Sequence, residues 1–183
     1  STHPPSHISH PLTSLTPLTS HYNSMILITG ANGQLGQCFQ RLASDFPEWR
    51  FLFAGSGDLD ITDKKAVSRF FKAHKDIKWV INCAAYTAVD KAESEAEKAR
   101  AGNITGPKNL AIATAAIGAR LIHFSTDYVY HNRQNRPFKE DDAVQPKGVY
   151  AKTKLAGERA VLASNPGQSM VIRTSWVYAA VGQ

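Results

Sequence analysis

Short apolar runs alternate with helical stretches along most of this chain, and that alternation limits the fold more than any other feature. Five runs have the length of buried strands, and stretches with helical periodicity separate them. Continuously apolar strands form parallel sheets, because helices then cover both of their faces. We therefore predict an α/β fold, a Rossmann-type doubly wound parallel sheet with helices on both faces. The predicted strands are residues 25–29, 51–55, 78–85, 119–126 and 169–175.

Helical periodicity fills the segments between these strands. Leu35, Phe39 and Leu42 fall on one face of the first helix and are expected to pack against the sheet. A helix start signal at Thr62 or Asp63 opens the second helix. The predicted helices are residues 34–46, a second from Thr62 or Asp63 onward, 93–117 and 150–163, and residues 131–148 are predicted to form a loop.

The first 24 residues differ from the rest, because they are rich in Ser, Thr, Pro and His and contain no Lys, Arg, Asp or Glu. Four of the seven histidines lie there, but their irregular spacing and proline neighbours favour a disordered leader or vector-derived sequence over a metal site. A chain of 183 residues has room for one domain with a sizeable core. We expect residues 1–24 to be such a leader and residues 25–183 to form a single Rossmann domain.

Composition argues against several classes of partner. The net charge is +6, but basic residues are mixed with acidic ones such as Glu93 and Glu97 and form no stripe, so nucleic acid is not expected. No apolar run approaches about 18 residues, so no membrane span is expected. The two cysteines, Cys38 and Cys83, fall in predicted regular elements. Buried, reduced thiols of this kind are typical of a cytoplasmic protein.

Three glycines follow the first predicted strand, in the stretch "MILITGANGQLGQ" at residues 25–37. Gly30, Gly33 and Gly36 lie at a strand-to-helix junction, where such a pattern is either an ordinary turn or a phosphate-binding loop. In a phosphate-binding loop, Gly30 would allow the tight turn, Gly33 the approach of a pyrophosphate, and Gly36 close packing of helix on strand. The helix N-terminus would offer its free N–H groups to the phosphates. The position in the first β/α unit favours nucleotide binding.

The type of nucleotide is left open by the sequence. A carboxylate at the end of the second strand favours NAD, whereas an arginine there favours NADP. Residues 54–57, "AGSG", contain neither. Asp58 and Asp60 follow, where they either contact the ribose or cap the next turn.

Tyr150 and Lys154 are four residues apart in "YAKTK" and share one face of a helix. A phenol is a poor acid–base group at neutral pH unless a neighbouring charge stabilises its phenolate, as an ammonium one turn away does. The alternative is two exposed helix residues without a function. Ser125, Thr126 and Asp127 end the fourth predicted strand, at the sheet edge where open α/β folds bind ligands. A hydroxyl there, together with Tyr150, would polarise a substrate carbonyl.

With these motifs, the sequence resembles the extended short-chain dehydrogenase/reductase family, and within it the dTDP-4-dehydrorhamnose reductases. The resemblance implies an NAD(P)-binding domain that reduces the C4 ketone of dTDP-4-dehydro-L-rhamnose to dTDP-L-rhamnose. It implies NADPH or NADH as the cofactor and a dTDP-sugar as the partner. "TAVDKAE" and "RTSWVY" are more diagnostic than the glycines. The matching stretches, in order from Met25 to Tyr178, are MILITGANGQLGQ, DLDITD, NCAAYTAVDKAE, STDYVY, YAKTKLAGE and RTSWVY.

The resemblance also assigns roles to single residues. Tyr150 would donate a proton to the sugar O4, Lys154 would lower the Tyr150 pKa and hold the nicotinamide ribose, and Thr126 would hydrogen-bond the carbonyl oxygen. These three are the implied catalytic residues. Trp176 is assigned to the sugar, although it would also fit as a core residue that closes the sheet. The implied cofactor residues are Gly30, Asn32, Gly33, Gln34, Leu35, Gly36, Asp60, Ile61, Ala84, Ala85, Tyr86, Asn103, Tyr150 and Lys154, and the implied substrate residues are Val89, Thr126, Asp127, Tyr128 and Trp176.

The sequence departs from the family in three places. Ala151 replaces the glycine that often follows the tyrosine, His131 and Asn132 lie in an altered loop, and the family's carboxyl-terminal substrate lobe is expected to be absent. Some family members use Mg²⁺, but no metal-ligand spacing here supports a metal site. A non-catalytic alternative is an NADP-binding regulatory subunit resembling the β subunit of methionine adenosyltransferase. A homodimer is a further expectation.

Overall fold

The structure is a computed structural model that describes residues 24–131 and 136–178. Within these ranges, five strands alternate with helices. The predicted leader lies outside the described residues except for Ser24, and so does Asn132 of the altered loop. The strands are β1 (Met25–Thr29), β2 (Arg50–Ala54), β3 (Ile77–Asn82), β4 (Arg120–Thr126) and β5 (Ser169–Thr174), and the α-helices are α1 (Gln34–Leu42), α2 (Lys64–Ala73), α3 (Ala96–Arg100), α4 (Gly106–Ile117) and α5 (Gly148–Ser164).

All five strands are parallel and lie in the order β2-β1-β3-β4-β5. The chain runs from β1 outward to β2 and then returns to the other side of β1, so the strand order reverses there. Thr29 and Asn82, which end β1 and β3, pair in register, and the Thr29 hydroxyl donates to the Asn82 side-chain oxygen at 2.7 Å. Ligands bind at the carboxyl ends of strands beside such a reversal. The predicted Rossmann-type sheet is confirmed.

The helices cover the two faces of this sheet unequally. Parallel crossovers are right-handed, so the direction of each connection across the sheet sets the face on which its helix lies. The connection from β1 to β2 runs in one direction and places α1 on one face. The three later connections run in the opposite direction and place α2, α4 and α5 on the other face. There α2 packs on α4 and α4 on α5. The main core lies beneath them, where Leu27, Val80 and Leu121 are at most 1% exposed. On the α1 face, the rings of Phe39 and Phe124 meet with centroids 6.4 Å apart.

The helix starts and ends follow local signals. Asp63 caps α2, because its carboxylate accepts hydrogen bonds from the N–H groups of Lys65 and Ala66. Those two bonds hold the Asp63 pKa below its usual value. The α1 helix ends at Leu42 rather than at residue 46, and a 3-10 turn over Ala43–Asp45 follows it. Pro47 disfavours helical backbone at Phe46, where this turn ends. Leu42, which was expected to pack inward, is 49% exposed.

The single helix predicted over residues 93–117 is wrong in detail. The chain forms α3, a π-helical turn over Ala101–Thr105, and then α4. The π turn pushes the Asn103 carbonyl toward α5, where Gly157 has no side chain and leaves room for it. Such turns often occur at functional sites. Cys83 follows β3 instead of lying in it, and both cysteines are free thiols that are only partly buried.

Candidate active site

Two of the three glycines are required by the fold itself. Gly30 has a φ of 66°, and a Cβ on it would lie 2.5 Å from the backbone nitrogen of Ala84. A Cβ on Gly36 would overlap the Gly30 carbonyl oxygen. These two positions therefore exclude side chains because the turn is tight and α1 packs closely on it.

Gly33 differs, because the fold does not exclude a side chain there. Its φ is −78°, and a Cβ would lie 3.3 Å from the Gly30 oxygen, which a shift of a few tenths of an ångström relieves. Gly33 is the exposed N-cap of α1, and no side chain caps this helix. The first N–H groups of a helix carry the positive end of its dipole and attract anions. The glycine at this position leaves their approach open.

The residues around Gly33 connect the loop to two other parts of the sheet edge. The Asn32 side chain lies against Gly55, directly after β2. The Gln34 side-chain amide donates to the Val177 carbonyl at 3.4 Å, so the segment after β5 returns to the loop. Leu35 is half-buried in the first turn of α1.

A cleft of about 370 Å³ opens beside the glycine loop, at the ends of β1, β2 and β3. Six of the predicted cofactor residues line it together. The Asp60 carboxylate accepts from the N–H and the hydroxyl of Thr62 at 2.9 and 2.7 Å, and Asp58 accepts from the Gly55 N–H at 2.9 Å. Both carboxylates thus cap local turns, one of the two roles that the sequence left open. The cleft is lined by Gly30, Ser56, Leu59, Asp60, Ile61, Thr62, Ala84, Ala85, Tyr86, Lys98, Ala101 and Gly102.

Asn103 holds the wall of this cleft in place from behind. Its side-chain oxygen accepts from the Tyr86 N–H at 2.9 Å, and its amide donates to the Tyr86 carbonyl at 3.1 Å and to the Thr153 hydroxyl at 3.2 Å. Asn103 is fully buried, and it does not itself line the cleft. The Tyr86 hydroxyl donates to Glu95 at 2.8 Å. The loop after β3 is therefore fixed to α5 through the π turn.

Thr126, Tyr150 and Lys154 lie together where the end of β4 meets α5. Thr126 is 7% exposed and Lys154 is 3% exposed. The Thr126 hydroxyl lies close enough to the Tyr150 phenol to lower its pKa, and the Tyr150 ring meets the Tyr128 ring edge-on with centroids 6.0 Å apart. The Lys154 ammonium donates to the Phe124 carbonyl at 2.7 Å. The structure thus brings together the three residues predicted to be catalytic.

The pKa of the Tyr150 phenol is raised above its usual value. Burial is the largest cause, the hydrogen bond with Thr126 opposes it, and Tyr128 and Asp127 raise the pKa further. Lys154 was expected to lower the Tyr150 pKa, but it is not among the groups that shift it here. Its ammonium is held by a backbone carbonyl instead.

Burial lowers the pKa of Lys154 to about 8, and the Glu158 carboxylate opposes that shift. The ammonium also acts on its neighbour across the helix–sheet contact. His123 is buried on β4, and burial together with the Lys154 charge lowers the His123 pKa to about 3. The imidazole is therefore neutral near pH 7, and Lys154 is the cation at this position.

The residues predicted to contact the sugar form a more open surface. Val89 is 41% exposed, Tyr128 is 47% exposed and Trp176 is 78% exposed. Asp127 is half-buried and accepts from the Thr126 hydroxyl at 3.3 Å. Trp176 has a φ of 49° and stacks on Tyr178. Within the described residues, Trp176 is therefore not the core residue of the alternative interpretation.

Sequence reasoning missed three charged residues that support this site. Glu93 accepts from the Val149 N–H at 2.7 Å and caps the start of α5, although 56 residues separate the two. Glu158 pairs with Arg173, at 2.7 Å between Nη2 and Oε2. Both glutamates lie in stretches that carry the resemblance, but contacts over such separations leave no trace in local spacing. Ser56 and Lys98 of the cleft were also missed.

Together, this fold and this site define a class, the Rossmann-like α/β domains with a threonine at a strand end and a Tyr–Lys pair on the following helix. The sequence matches the family described as RmlD substrate binding domain over residues 24–183. The chain belongs to this family.

Similar proteins give the family more detail. A protein named dTDP-4-dehydrorhamnose reductase from Mycobacterium tuberculosis (strain CDC 1551 / Oshkosh) is 50% identical over 158 residues, which is 84% of this chain and 50% of that protein. A Streptomyces griseus protein of the same name is 46% identical over 85% of this chain and 51% of its own. The chain therefore spans about half the length of the curated relatives it matches.

Solved structures agree with this assignment. A dTDP-4-dehydrorhamnose reductase from Clostridium acetobutylicum superposes with a TM-score of 0.82 at 44% identity, covering 86% of this chain and 55% of that one. Another from Bacillus anthracis str. Ames, in complex with NADP, gives a TM-score of 0.83 at 34% identity, covering 88% and 56%.

The described residues contain neither a cluster of metal ligands nor a membrane-spanning helix. No group of three or more His, Cys, Asp or Glu side chains there could hold a metal ion, so Mg²⁺ gains no support from the structure. None of the helices in residues 24–131 and 136–178 is long and apolar enough to cross a membrane.

Proposed function

We propose that this chain is the nicotinamide-binding part of an NAD(P)H-dependent dTDP-4-dehydrorhamnose reductase. In the proposed reaction, the C4 ketone of dTDP-4-dehydro-L-rhamnose is reduced to the alcohol of dTDP-L-rhamnose. One observation carries the proposal: Thr126 at the end of β4 lies beside the half-buried Tyr150 phenol on α5, with the buried Lys154 one helical turn further. The glycine loop and its cleft lie at the same carboxyl edge of the sheet. The names of the relatives support the same reaction.

The residues of this chain would divide the chemistry between them. NADPH or NADH, when bound, supplies the hydride that the ketone carbon receives. Tyr150 would donate its phenolic proton to the ketone oxygen, and Thr126 would hold that oxygen by a hydrogen bond. The raised Tyr150 pKa keeps the phenol protonated and ready to donate at neutral pH. The resulting phenolate would then recover a proton from solvent.

Lys154 would act on both the cofactor and Tyr150. Its pKa of about 8 leaves it mostly charged near pH 7. Its ammonium now donates to the Phe124 carbonyl, and we propose that bound cofactor draws one of its remaining N–H groups to the nicotinamide ribose. An ammonium there would stabilise the phenolate on Tyr150 as it forms.

Either nicotinamide cofactor fits the proposal. Asp58 and Asp60, the acidic side chains that follow β2 most closely, are engaged in local turns. Neither is therefore committed to the ribose hydroxyls of NAD, and neither faces the 2′-phosphate of NADP as a free carboxylate. The complex of the Bacillus anthracis structure with NADP supports NADPH as one cofactor of this chain.

Residues 25–183 as one cofactor-binding domain, a cytoplasmic location and a homodimer belong to this proposal. Size-exclusion chromatography with light scattering tests the homodimer, and a mass of one chain would reject it. None of the contacts in residues 24–131 and 136–178 favours a regulatory, non-catalytic role. It would be preferred if the protein bound NADPH, captured a larger enzyme and never oxidised NADPH with any ketone.

The direct test is an assay of NADPH absorbance with dTDP-4-dehydro-L-rhamnose. The 183-residue chain is compared with a chimera that carries the carboxyl-terminal half of the Mycobacterium tuberculosis relative after it. Positioning of the substrate supplies ~7–11 kcal/mol of barrier lowering, much of it from remote contacts. We expect the chimera to oxidise NADPH and the chain alone to be slower by a factor on the order of 10² or more. No oxidation by the chimera, or equal rates for the two, contradicts the proposal.

A further inference from the structure

Glu158 occupies an unusual position beneath the candidate catalytic residues. It lies on α5 one turn after Lys154 and is only 3% exposed. Its carboxylate accepts from the Ser125 hydroxyl on β4, and from Nε and Nη2 of Arg173 on β5 at 3.0 and 2.7 Å. A single carboxylate thus joins three elements at the point where β4 ends at Thr126.

Arg173 extends this contact to the loop on the sugar side. Its Nη1 donates to the Tyr130 hydroxyl at 2.7 Å and to the Glu140 carbonyl at 3.2 Å. The Tyr130 hydroxyl donates in turn to the Lys139 carbonyl at 2.9 Å. The guanidinium also lies over the Tyr130 ring, 4.8 Å from its centre. The segment that follows Thr126 is therefore fixed to the same carboxylate through Arg173.

We propose that Glu158 is a positioning residue of the candidate active site. It holds Thr126 and the segment after it in register with α5, and it places a negative charge one helical turn from the Lys154 ammonium. The proposal rests on the proposed function, because the residues it positions are those of the reductase chemistry.

The charged surroundings of Lys154 make this role measurable. From α5 it is faced by Glu158, and from β4 by His123, whose imidazole is neutral. Glu158 is the group that raises the Lys154 pKa against the effect of burial. Arg173 forms an ion pair with the same Glu158 carboxylate and partly neutralises the charge that acts on Lys154. Changes at Glu158 and Arg173 should therefore shift the titration of Lys154 in opposite directions.

The experiment is an NMR titration of the lysine Cε and Hε signals in the 183-residue chain, with Lys154 assigned by its absence in Lys154→Met. Glu158→Gln keeps an acceptor for Ser125 but removes the charge, so the Lys154 midpoint should fall. Arg173→Gln frees the carboxylate, so the midpoint should rise. Glu97→Gln, whose side chain is 92% exposed, should leave it unchanged.

A purely structural role predicts a different result. Loosening of the β4–α5 contact would lower burial of Lys154 and raise its midpoint in both variants alike. Equal shifts in one direction, or no shift, would overturn the proposal. If Glu158→Gln does not fold, as judged by circular dichroism, Arg173→Lys decides. It keeps a cation beside the Glu158 carboxylate, so its Lys154 midpoint should stay below that of Arg173→Gln, and equal midpoints in these two variants would overturn the proposal. The titration needs no cofactor, so it stands even if the chain fails to bind NADPH and the proposed function is wrong.

Discussion

The cofactor half and the sugar half of the candidate site are built in different ways. The cofactor half follows β1, β2 and β3, where backbone turns and buried side chains form one cleft. Gly30 and Gly36 exclude side chains, and Asn103 fixes the wall by three hydrogen bonds. The sugar half follows β4 and β5, where Tyr128 and Trp176 are large and exposed.

This difference leads us to expect that the described residues alone bind the cofactor but do not enclose the sugar. Backbone turns and packing after β1, β2 and β3 form the cleft of the cofactor half, and Asn103 joins its wall to Thr153 on α5. The sugar half offers aromatic surface without an enclosing wall in the described part of the chain, while Thr126 and Tyr150, which we propose act on the ketone oxygen, already lie together. We therefore expect cofactor binding and substrate turnover to respond separately to substitution.

The largest effect should come from Tyr150→Phe in the chimera that carries the additional half of the relative. The change removes the proposed proton donor and leaves the cleft untouched. Loss of general-acid help costs ~10²–10⁴ in rate, and we expect kcat to fall by that order with NADPH affinity preserved. Stopped-flow absorbance and fluorescence titration measure the two quantities. Full turnover by the variant would assign the proton transfer to another group, and a large loss of affinity would break the separation of the two halves.

A pH change should act on the cofactor half and give a moderate effect. The Lys154 pKa is lowered to about 8, and the charged form is the one proposed to bind the ribose. NADPH affinity should therefore fall as the pH rises through about 8. In Lys154→Met this dependence should disappear. Affinity that stays constant to pH 9.5 in the unmodified chain would remove Lys154 from the cofactor site.

Unfolding does not explain that loss, because the fold responds in the opposite sense. A lysine whose pKa is lower in the folded chain binds fewer protons there than when unfolded, so stability rises with pH between about 8 and the usual lysine pKa of 10.5. Urea denaturation at pH 7.5 and 9.5 provides the control. Lys154→Met should lose this contribution to the pH dependence.

The smallest effect concerns the contact that joins the halves. Glu93 lies before α3 and accepts from Val149 at the start of α5, so Glu93→Ala should destabilise the fold by roughly 1 kcal/mol, as loss of a helix cap does. Chemical denaturation measures this change, and Glu97→Ala is the matched control on the same surface. Equal stability of the Glu93 and Glu97 variants would mean that the cap contributes nothing.

The cofactor half was also the half that local sequence described best. The glycine spacing, the apolar strands and the Asp63 cap are local signals, and each predicted an element that the structure contains. The π turn at Asn103 was not predicted, because the residue that leaves room for it, Gly157, lies on a helix far along the chain. Glu158 and Arg173 were missed for the same reason, since neither spacing nor periodicity reports a contact between α5 and β5.

The resemblance named side chains but not their contacts. It brought Thr126, Tyr150 and Lys154 together correctly, yet it placed the Lys154 ammonium near the phenol rather than on the Phe124 carbonyl. It also left Trp176 between two roles, and its exposure in the described residues argues against the core role. The hydrogen-bond partner of Lys154 and the exposure of Trp176 depend on the assembled fold, so the motifs alone could not predict them.

We propose that the described residues hold a complete cofactor site, and a substitution at Gly33 tests this claim. A Cβ there would lie 3.3 Å from the Gly30 oxygen, a contact that a shift of a few tenths of an ångström relieves, so we expect a bulky residue to obstruct the pyrophosphate without unfolding the chain. The measurement is a titration of NADPH fluorescence with the original chain, Gly33→Val and Gly57→Val. Gly57 has open space at its Cβ position and does not line the cleft, which makes it the matched control. We predict tight binding by the original chain and the control and loss of binding in Gly33→Val, with similar melting curves for all three. Equal affinity in Gly33→Val would contradict the claim and reduce the glycine loop to an ordinary turn.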